Sequence, residues 1–133
     1  MKFPTLLTVI LLSSISIFAQ NKNADTAVQT FLKQFNERKF DEIYNSSSSV
    51  YQQKISNKNF QSYLNQIYDM AGKFKSSKFK SLVNGTYNYY LIAEDKEINA
   101  DFTIMIDQDN RIEYLSFKRI GGSGNPPPIS RIN

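Results

Sequence analysis

The side chains that could do chemistry in this sequence are carboxylates, tyrosines, lysines and hydroxyls, because histidine and cysteine are both absent. Their absence removes the commonest general base near neutral pH, the thiol nucleophile and the usual ligands of zinc and copper. We therefore predict no catalytic residue and no metal site, and we expect no cofactor.

One string, DQDNR at Asp107–Arg111, has the start of a calcium-binding loop. Such a loop needs a glycine at its sixth position and a bidentate glutamate at its twelfth, where this sequence has Ile112 and Lys118. Aspartate and asparagine also favour turns in their own right. The string is therefore predicted to be a hairpin turn.

The tyrosines, eight in number, are the other candidates for binding chemistry. We assign four tyrosines on predicted inner faces as candidate ligand-binding residues: Tyr44, Tyr63, Tyr87 and Tyr89. Buried tyrosines usually place their rings in the core and send the hydroxyl to the rim or to a partner. The alternative is an aromatic-walled pocket for a small apolar or ring-shaped ligand. Both interpretations stay open, and Tyr44 and Tyr63 are the first residues to test.

The element that must position these residues is an antiparallel meander predicted from Lys78 to Ile120. Its four segments are rich in β-branched and aromatic residues with period-two alternation: KFKSLV, TYNYYLIA, INADFTIMI and RIEYLSFKRI. Turn residues separate them: NG at 84–85, EDK at 94–96 and DQDN at 107–110. Asn-Gly favours a two-residue hairpin, because both central residues of a type I′ turn need positive φ.

Three helices are predicted before the meander, packed on its more apolar face. The first carries one apolar stripe and has Asn23 or Asp25 as its N-cap, and the second is short. The third begins after Ser56 and ends at Gly72, which suits the C-terminal glycine position. The predicted fold class is α+β, with N-terminal helices packed on a four-stranded antiparallel meander.

The ends of the chain are predicted to lie outside this domain of residues 20–120. Residues 1–19 have a charged start, an apolar core at Leu6–Phe18 and a small residue at the expected cleavage site, as in a secretory signal peptide. Without cysteine there is no acylation site, so we expect a secreted or periplasmic protein with no membrane anchor after cleavage. The Gly/Pro-rich tail, 121–133, is predicted to be disordered.

The charge of the chain gives no sign of a nucleic-acid partner, because a formal net charge of +4 is modest and spread along the sequence. The densest basic run is Lys73, Lys75, Lys78 and Lys80. Lysines in such a strand more often guard a sheet edge against unwanted pairing than hold a phosphate.

The order of helix, short helix, long helix and meander resembles the nuclear-transport-factor-2-like superfamily, and more closely a small exported bacterial branch of unassigned function. The residues that carry the resemblance are Phe31, Phe35, Phe40–Tyr44, Phe79, Tyr89 and Asp109–Ile112. The match runs from Ala24 to Ile120. It implies a cone in which a curved sheet wraps the long helix and a pocket opens at the wide end. No strand is predicted between Tyr44 and Phe60, where many fuller members have one, so the resemblance does not fix the size of the pocket.

The leading functional prediction is an exported, non-catalytic module that binds a small apolar ligand or a protein partner. Some relatives are enzymes that place an acid and a tyrosine in the cone. The alternative function is therefore a small lyase or isomerase that uses Asp101 with Tyr114 or Tyr87. Asp101 alternates with Phe102, however, so an inward Phe102 sends Asp101 to the solvent side.

A homodimer through the outer sheet face is the third hypothesis, because relatives often associate in that way. Apolar side chains predicted on that face are Tyr90, Ile92 and Met105. A partner would cover part of their surface.

Overall fold

Four helices and a four-stranded antiparallel sheet make up the part of the chain that the computed structural model describes, residues 22–121. The helices are α1 (22–36), α2 (Phe40–Asn45), α3 (Ser49–Lys54) and α4 (Asn57–Ala71). The strands are β1 (Phe74–Val83), β2 (Thr86–Ala93), β3 (Asn99–Ile106) and β4 (Ile112–Gly121). The strands pair in chain order, and the sheet is curved and not closed. The predicted α+β fold class is confirmed.

The predicted signal peptide, residues 1–19, lies outside the described residues, as does the predicted tail beyond Gly121. Gly121 itself is the last residue of β4. None of the helices between residues 22 and 121 combines the length and the apolar character needed to cross a membrane.

Helix α4 has the boundaries that its sequence predicts. The hydroxyl of Ser56 caps the helix by accepting a hydrogen bond of 3.2 Å from the backbone N–H of Asn59. Gly72 ends it with a φ of 69°, a conformation that costs glycine little because it has no Cβ. The side chains that α4 buries are Phe60, Leu64, Ile67 and Ala71.

Helix α1 buries its predicted stripe but begins earlier than expected. Members of the stripe that are at most 5% exposed are Ala24, Val28, Phe31, Leu32 and Phe35. Lys22 is already helical, so the prediction that Asn23 or Asp25 caps the helix is wrong. Asp25 instead accepts a hydrogen bond from Tyr89 on the sheet.

The predicted alternation of the strands is confirmed. Residues that alternation predicts for the inner face and that are buried include Tyr87, Tyr89, Leu91, Ala93, Ala100, Phe102, Ile104, Leu115 and Phe117. Thr103 belongs to the outer face and is nevertheless only 3% exposed, and its buried hydroxyl is satisfied by donating to the Asn88 amide oxygen at 2.9 Å. The inner face therefore holds the core, and the outer face has a polar centre.

Aromatic rings join the helices to the inner face. The Phe31 ring on α1 stacks on Phe102 of β3 with 4.9 Å between centroids. Phe35, one turn later, packs against Phe74 of β1 at 5.4 Å. Such pairs contribute about 0.5–1.5 kcal/mol each beyond their burial of apolar area.

Both short turns of the meander follow the predicted turn chemistry. Asn84 and Gly85 have φ values of 50° and 74°, and Val83 pairs with Thr86, which is the two-residue hairpin that Asn-Gly favours. The Asp107–Arg111 string is a hairpin turn closed by a 2.9 Å hydrogen bond from Asp107 N–H to the Arg111 carbonyl.

Strand β1 begins at Phe74 rather than at the predicted Lys78. The side-chain amide of Asn36 donates to the Phe74 carbonyl at 2.8 Å, and its oxygen accepts from the Phe74 N–H at 2.9 Å. This pair of bonds substitutes for a neighbouring strand, and the buried Phe74 ring anchors the segment. The extension depends on a tertiary contact that the local sequence FKSS does not encode.

Candidate functional site

A cleft of about 300 Å³ lies between α1 and the turn that joins β3 to β4. Residues of α1 that line it are Asn23, Thr26, Ala27, Thr30, Phe31 and Gln34. Its other side consists of Ser46, Asn110, Arg111 and Ile112. The volume is at the lower end of the range for small-molecule sites.

The turn on the far side of the cleft is held in place by Asp107. One carboxylate oxygen accepts the backbone N–H groups of Asp109 and Arg111, each at 2.9 Å. The Arg111 guanidinium contacts Asp107 at 3.2 Å and Asp109 at 3.1 Å. Burial alone would raise the pKa of Asp107, but the two backbone hydrogen bonds and the guanidinium outweigh it and lower the pKa. The positive charge at the cleft is therefore already balanced by two carboxylates.

The lining of the cleft offers hydroxyl and amide groups. Among the described residues that line it, none is an acid or a lysine, and Arg111 is the one cation. Elsewhere in residues 22–121, no group of three acidic side chains is placed to hold a metal ion. Hydroxyls and amides can hydrogen-bond a neutral polar molecule, but they do not titrate near neutral pH and so are poor general acids or bases.

Tyr44 and Tyr63, the first two predicted ligand-binding residues, are half-buried and bonded to the backbone. The Tyr44 hydroxyl lies 2.8 Å from the Ile55 carbonyl oxygen and 3.2 Å from that of Gln52. The Tyr63 oxygen accepts the backbone N–H of Phe117 at 2.9 Å, and burial raises the pKa of Tyr63. These contacts give both residues a structural role.

Tyr87 and Tyr89 lie on the inner face of β2, where they are 6% and 2% exposed. The Tyr89 hydroxyl donates to the Asp25 carboxylate at 2.6 Å and so ties β2 to α1. Burial, and then this hydrogen bond, raise the pKa of Tyr89 well above its ordinary value. The cleft described above contains none of the four predicted tyrosines, and their ligand-binding role stays a prediction.

Asp101 lies on the outer face, away from Tyr87. Its carboxylate pairs with the Lys80 ammonium at 3.1 Å, and its side chain is 24% exposed. Tyr114 shares that face, but it pairs with Met105, which is four residues or about 13 Å from Asp101 along β3. The structure therefore does not bring Asp101 together with either tyrosine, and the acid–tyrosine pair predicted for a lyase or isomerase is wrong.

Sequence reasoning missed the cleft, although one signal for it was present. Thr26, Thr30 and Gln34 repeat every four residues beside the apolar stripe of α1. A solvated helix face has the same pattern, so the repeat alone does not indicate a site. The repeat becomes the wall of a cleft only because the turn at 107–111 packs opposite it.

Comparison with known proteins identifies a family that covers most of these elements. A search of curated proteins gave no match. A family model described as "Protein of unknown function (DUF3887)" matches residues 28–115, more than half of the 133 residues. The matched span begins within α1, includes α2 to β3, and ends within β4. The chain therefore belongs to this family of proteins of unknown function, DUF3887.

Proposed function

We propose that the chain is an exported, non-catalytic module that binds a small ligand in the cleft between α1 and the β3–β4 turn. The observation that carries the proposal is the convergence of neutral polar side chains from two elements on one concave surface. Small-molecule sites typically combine such a concavity with a few well-placed polar groups.

The lining also favours a class of ligand. Thr30 and Gln34 provide hydroxyl and amide groups, while Ala27 and Ile112 provide apolar surface. The Arg111 charge is engaged by two carboxylates, so an anionic ligand gains little from it. We therefore favour an uncharged ligand that carries hydroxyl or amide groups, rather than the purely apolar ligand expected from the sequence.

Export and the superfamily assignment belong to the same proposal. The charged start, apolar core and Ala19 support a cleaved signal peptide and a secreted or periplasmic location. Helices followed by a curved meander support a place in the nuclear-transport-factor-2-like superfamily. Mass spectrometry of protein recovered from its native compartment tests the export step. A chain that starts at Gln20 is expected, and an intact Met1 in the cytoplasm would contradict export.

The ligand proposal is tested by titrating residues 20–133 with a panel of neutral sugars and small amides, followed by backbone-amide NMR. We expect shifts confined to α1 and residues 107–112. Thr30→Val and Gln34→Leu should reduce them, whereas the matched change Thr86→Val on the outer face should not. Absence of any shift at the cleft, or equal shifts in the variants, would overturn the proposal.

Homodimerisation through the outer sheet face is a second candidate, favoured by the exposure of Tyr90 and Tyr114, each 42%. Against it, the centre of that face is polar, since Ser81, Asn88 and Thr103 form a hydrogen-bonded row across three strands. Light scattering on the mature chain distinguishes a monomer from a homodimer. A mass independent of concentration and equal to one chain would exclude the dimer.

A further inference from the structure

The two edges of the sheet differ in how they are covered. At the β4 edge, the Ser48 N–H donates to the Ile112 carbonyl at 2.8 Å, and the Tyr63 hydroxyl accepts the Phe117 N–H at 2.9 Å. At the β1 edge, Asn36 covers the backbone of Phe74. Within residues 22–121, no hydrogen bond from another element reaches the backbone of residues 78–83 on the side away from β2. With respect to the described residues, this second half of β1, residues 78–83, is therefore an open edge.

Apolar side chains cluster along the same open edge. Phe79, Leu82 and Val83 are 42%, 38% and 55% exposed, and they are consecutive or nearly so in one strand. The register places Phe79 and Leu82 opposite Tyr89 and Tyr87, on the inner face of the sheet. An added strand would extend that face and cover both side chains.

The opposite face of the open edge is basic. Lys78 pairs with Tyr90 in the register, which places it on the outer face. Lys80 also lies there, with its ammonium 4.1 Å from the centre of the Tyr90 ring and 3.1 Å from Asp101. Lys78 forms no salt bridge with any residue in the described part of the chain. A segment lying beside β1 would therefore meet a positive charge on one face and apolar side chains on the other.

These charges decide between the possible occupants of the edge. A second copy pairing β1 with β1 would bring together two strands that each carry Lys75, Lys78 and Lys80 and no acidic residue, and like charges close together across a strand pair are destabilising. The parts of this chain outside the described residues, 1–21 and 122–133, contain no aspartate or glutamate and carry Lys2 and Arg131. Neither a second copy nor these segments complement the edge.

We infer that residues 78–83 of β1 are a docking edge for an extended, acidic segment of another protein. The segment would add a strand through backbone hydrogen bonds, as in other cases of strand addition. Its alternate side chains would be apolar over Phe79 and Leu82 and acidic beside Lys78. The same lysines that oppose self-pairing thus favour an acidic partner.

The probe for this proposal is a labelled peptide of about nine residues that alternates valine and glutamate, since strands of this length are common. Its control replaces every glutamate with lysine. Fluorescence anisotropy with residues 20–133 should give binding at least about tenfold tighter for the acidic peptide, weakening as salt rises because the attraction is electrostatic. Equal binding of both peptides, or no binding of either, would overturn the proposal.

Variants and amide exchange locate the binding. Lys78→Glu should weaken binding of the acidic peptide by about tenfold or more, whereas Lys58→Glu, the same charge change at an exposed position of α4, should have little effect. Phe79→Ser should also weaken it. Bound peptide should slow hydrogen exchange of amides in residues 78–83. Protection of β4 instead, or a concentration-dependent dimer paired through β1, would overturn the inference.

Discussion

The backbone N–H of Phe117 donates a hydrogen bond of 2.9 Å to the hydroxyl oxygen of Tyr63. Phe117 lies in β4, an edge strand of the sheet formed by the described residues, and Tyr63 lies in α4. The Tyr63 hydroxyl therefore satisfies the Phe117 N–H, as the carbonyl of a fifth strand would. The Tyr63 ring also contacts the Phe117 ring edge-on, with 6.3 Å between the ring centroids. A residue for which the sequence left a core position and a pocket wall both open is part of the covering of a sheet edge.

Tyr63→Phe tests this role, because it keeps the ring and removes only the acceptor. A part-buried N–H left without a partner costs about 1–3 kcal/mol, so we expect a loss of unfolding free energy in that range by urea denaturation. Tyr114→Phe, a change at an exposed tyrosine of the same sheet, is the control and should stay within about 0.5 kcal/mol of wild type. An unchanged stability for Tyr63→Phe would contradict the assignment.

Local sequence signals were sufficient to predict the elements with their own start and stop residues. Helix α4 begins after Ser56 and ends at Gly72, because a cap hydroxyl and a residue with positive φ act on backbone groups only a few positions away in the sequence. Asn84-Gly85 sets its hairpin for the same reason. The strand faces followed from alternation, since an offset of one residue would have buried Asn88 in place of Tyr89.

Features that depend on distant segments could not be predicted in this way. The start of β1 is set by Asn36, which is 38 residues away along the chain. The cleft exists because Thr30 and Arg111 come to opposite sides of one concavity. In each case the residue types are ordinary, and only the packing of α1 on the sheet gives them their partners.

Asn36→Ala tests the contact that begins β1. Both hydrogen bonds to Phe74 are lost, and we expect a decrease of about 1–3 kcal/mol in the unfolding free energy. Hydrogen exchange at the Phe74 amide should also become faster. Asn59→Ala, a change at an exposed position of α4, is the matched control. If the Phe74 amide exchanged at the wild-type rate in Asn36→Ala, the amide pair would not be holding the strand.

Buried tyrosines should make the domain sensitive to alkaline pH. Burial is the first cause that raises the pKa of both Tyr51 and Tyr89 in the folded state. In the unfolded chain a tyrosine loses its proton near pH 10. Below that pH both states keep the proton, whereas above it the unfolded state binds fewer protons, so the unfolding free energy falls as pH rises. The expected slope is about 1.4 kcal/mol per pH unit for each such tyrosine.

Tyr51→Phe isolates one of these protons. Urea denaturation from about pH 7 to pH 11 should show that the unfolding free energy of Tyr51→Phe falls less steeply with pH than that of wild type. The difference in slope should correspond to close to one proton. Titration of lysines contributes equally to both proteins and cancels in the comparison. Tyr114→Phe, at an exposed position, provides the control. Parallel declines in wild type and Tyr51→Phe would show that this tyrosine does not contribute.

Asp107→Ala should loosen the turn that forms one side of the cleft. It removes the acceptor of two backbone N–H groups and one partner of Arg111, at a cost of about 1–2 kcal/mol near neutral pH. The pKa of Asp107 is lowered in the folded state, so its contribution is complete above the unfolded value of about 3.9 and is lost as pH falls through the lowered folded value.

The difference in unfolding free energy between wild type and Asp107→Ala should accordingly shrink as the pH is taken below about 4. Asp109→Asn is the comparison, because Asp109 contacts the same arginine through a carboxylate that is 74% exposed, and surface ion pairs contribute little. If ligand shifts at α1 disappear in Asp107→Ala but persist in Asp109→Asn, the ordered turn is needed for binding. Binding that survives both changes would place the ligand on α1 alone and contradict a two-sided cleft.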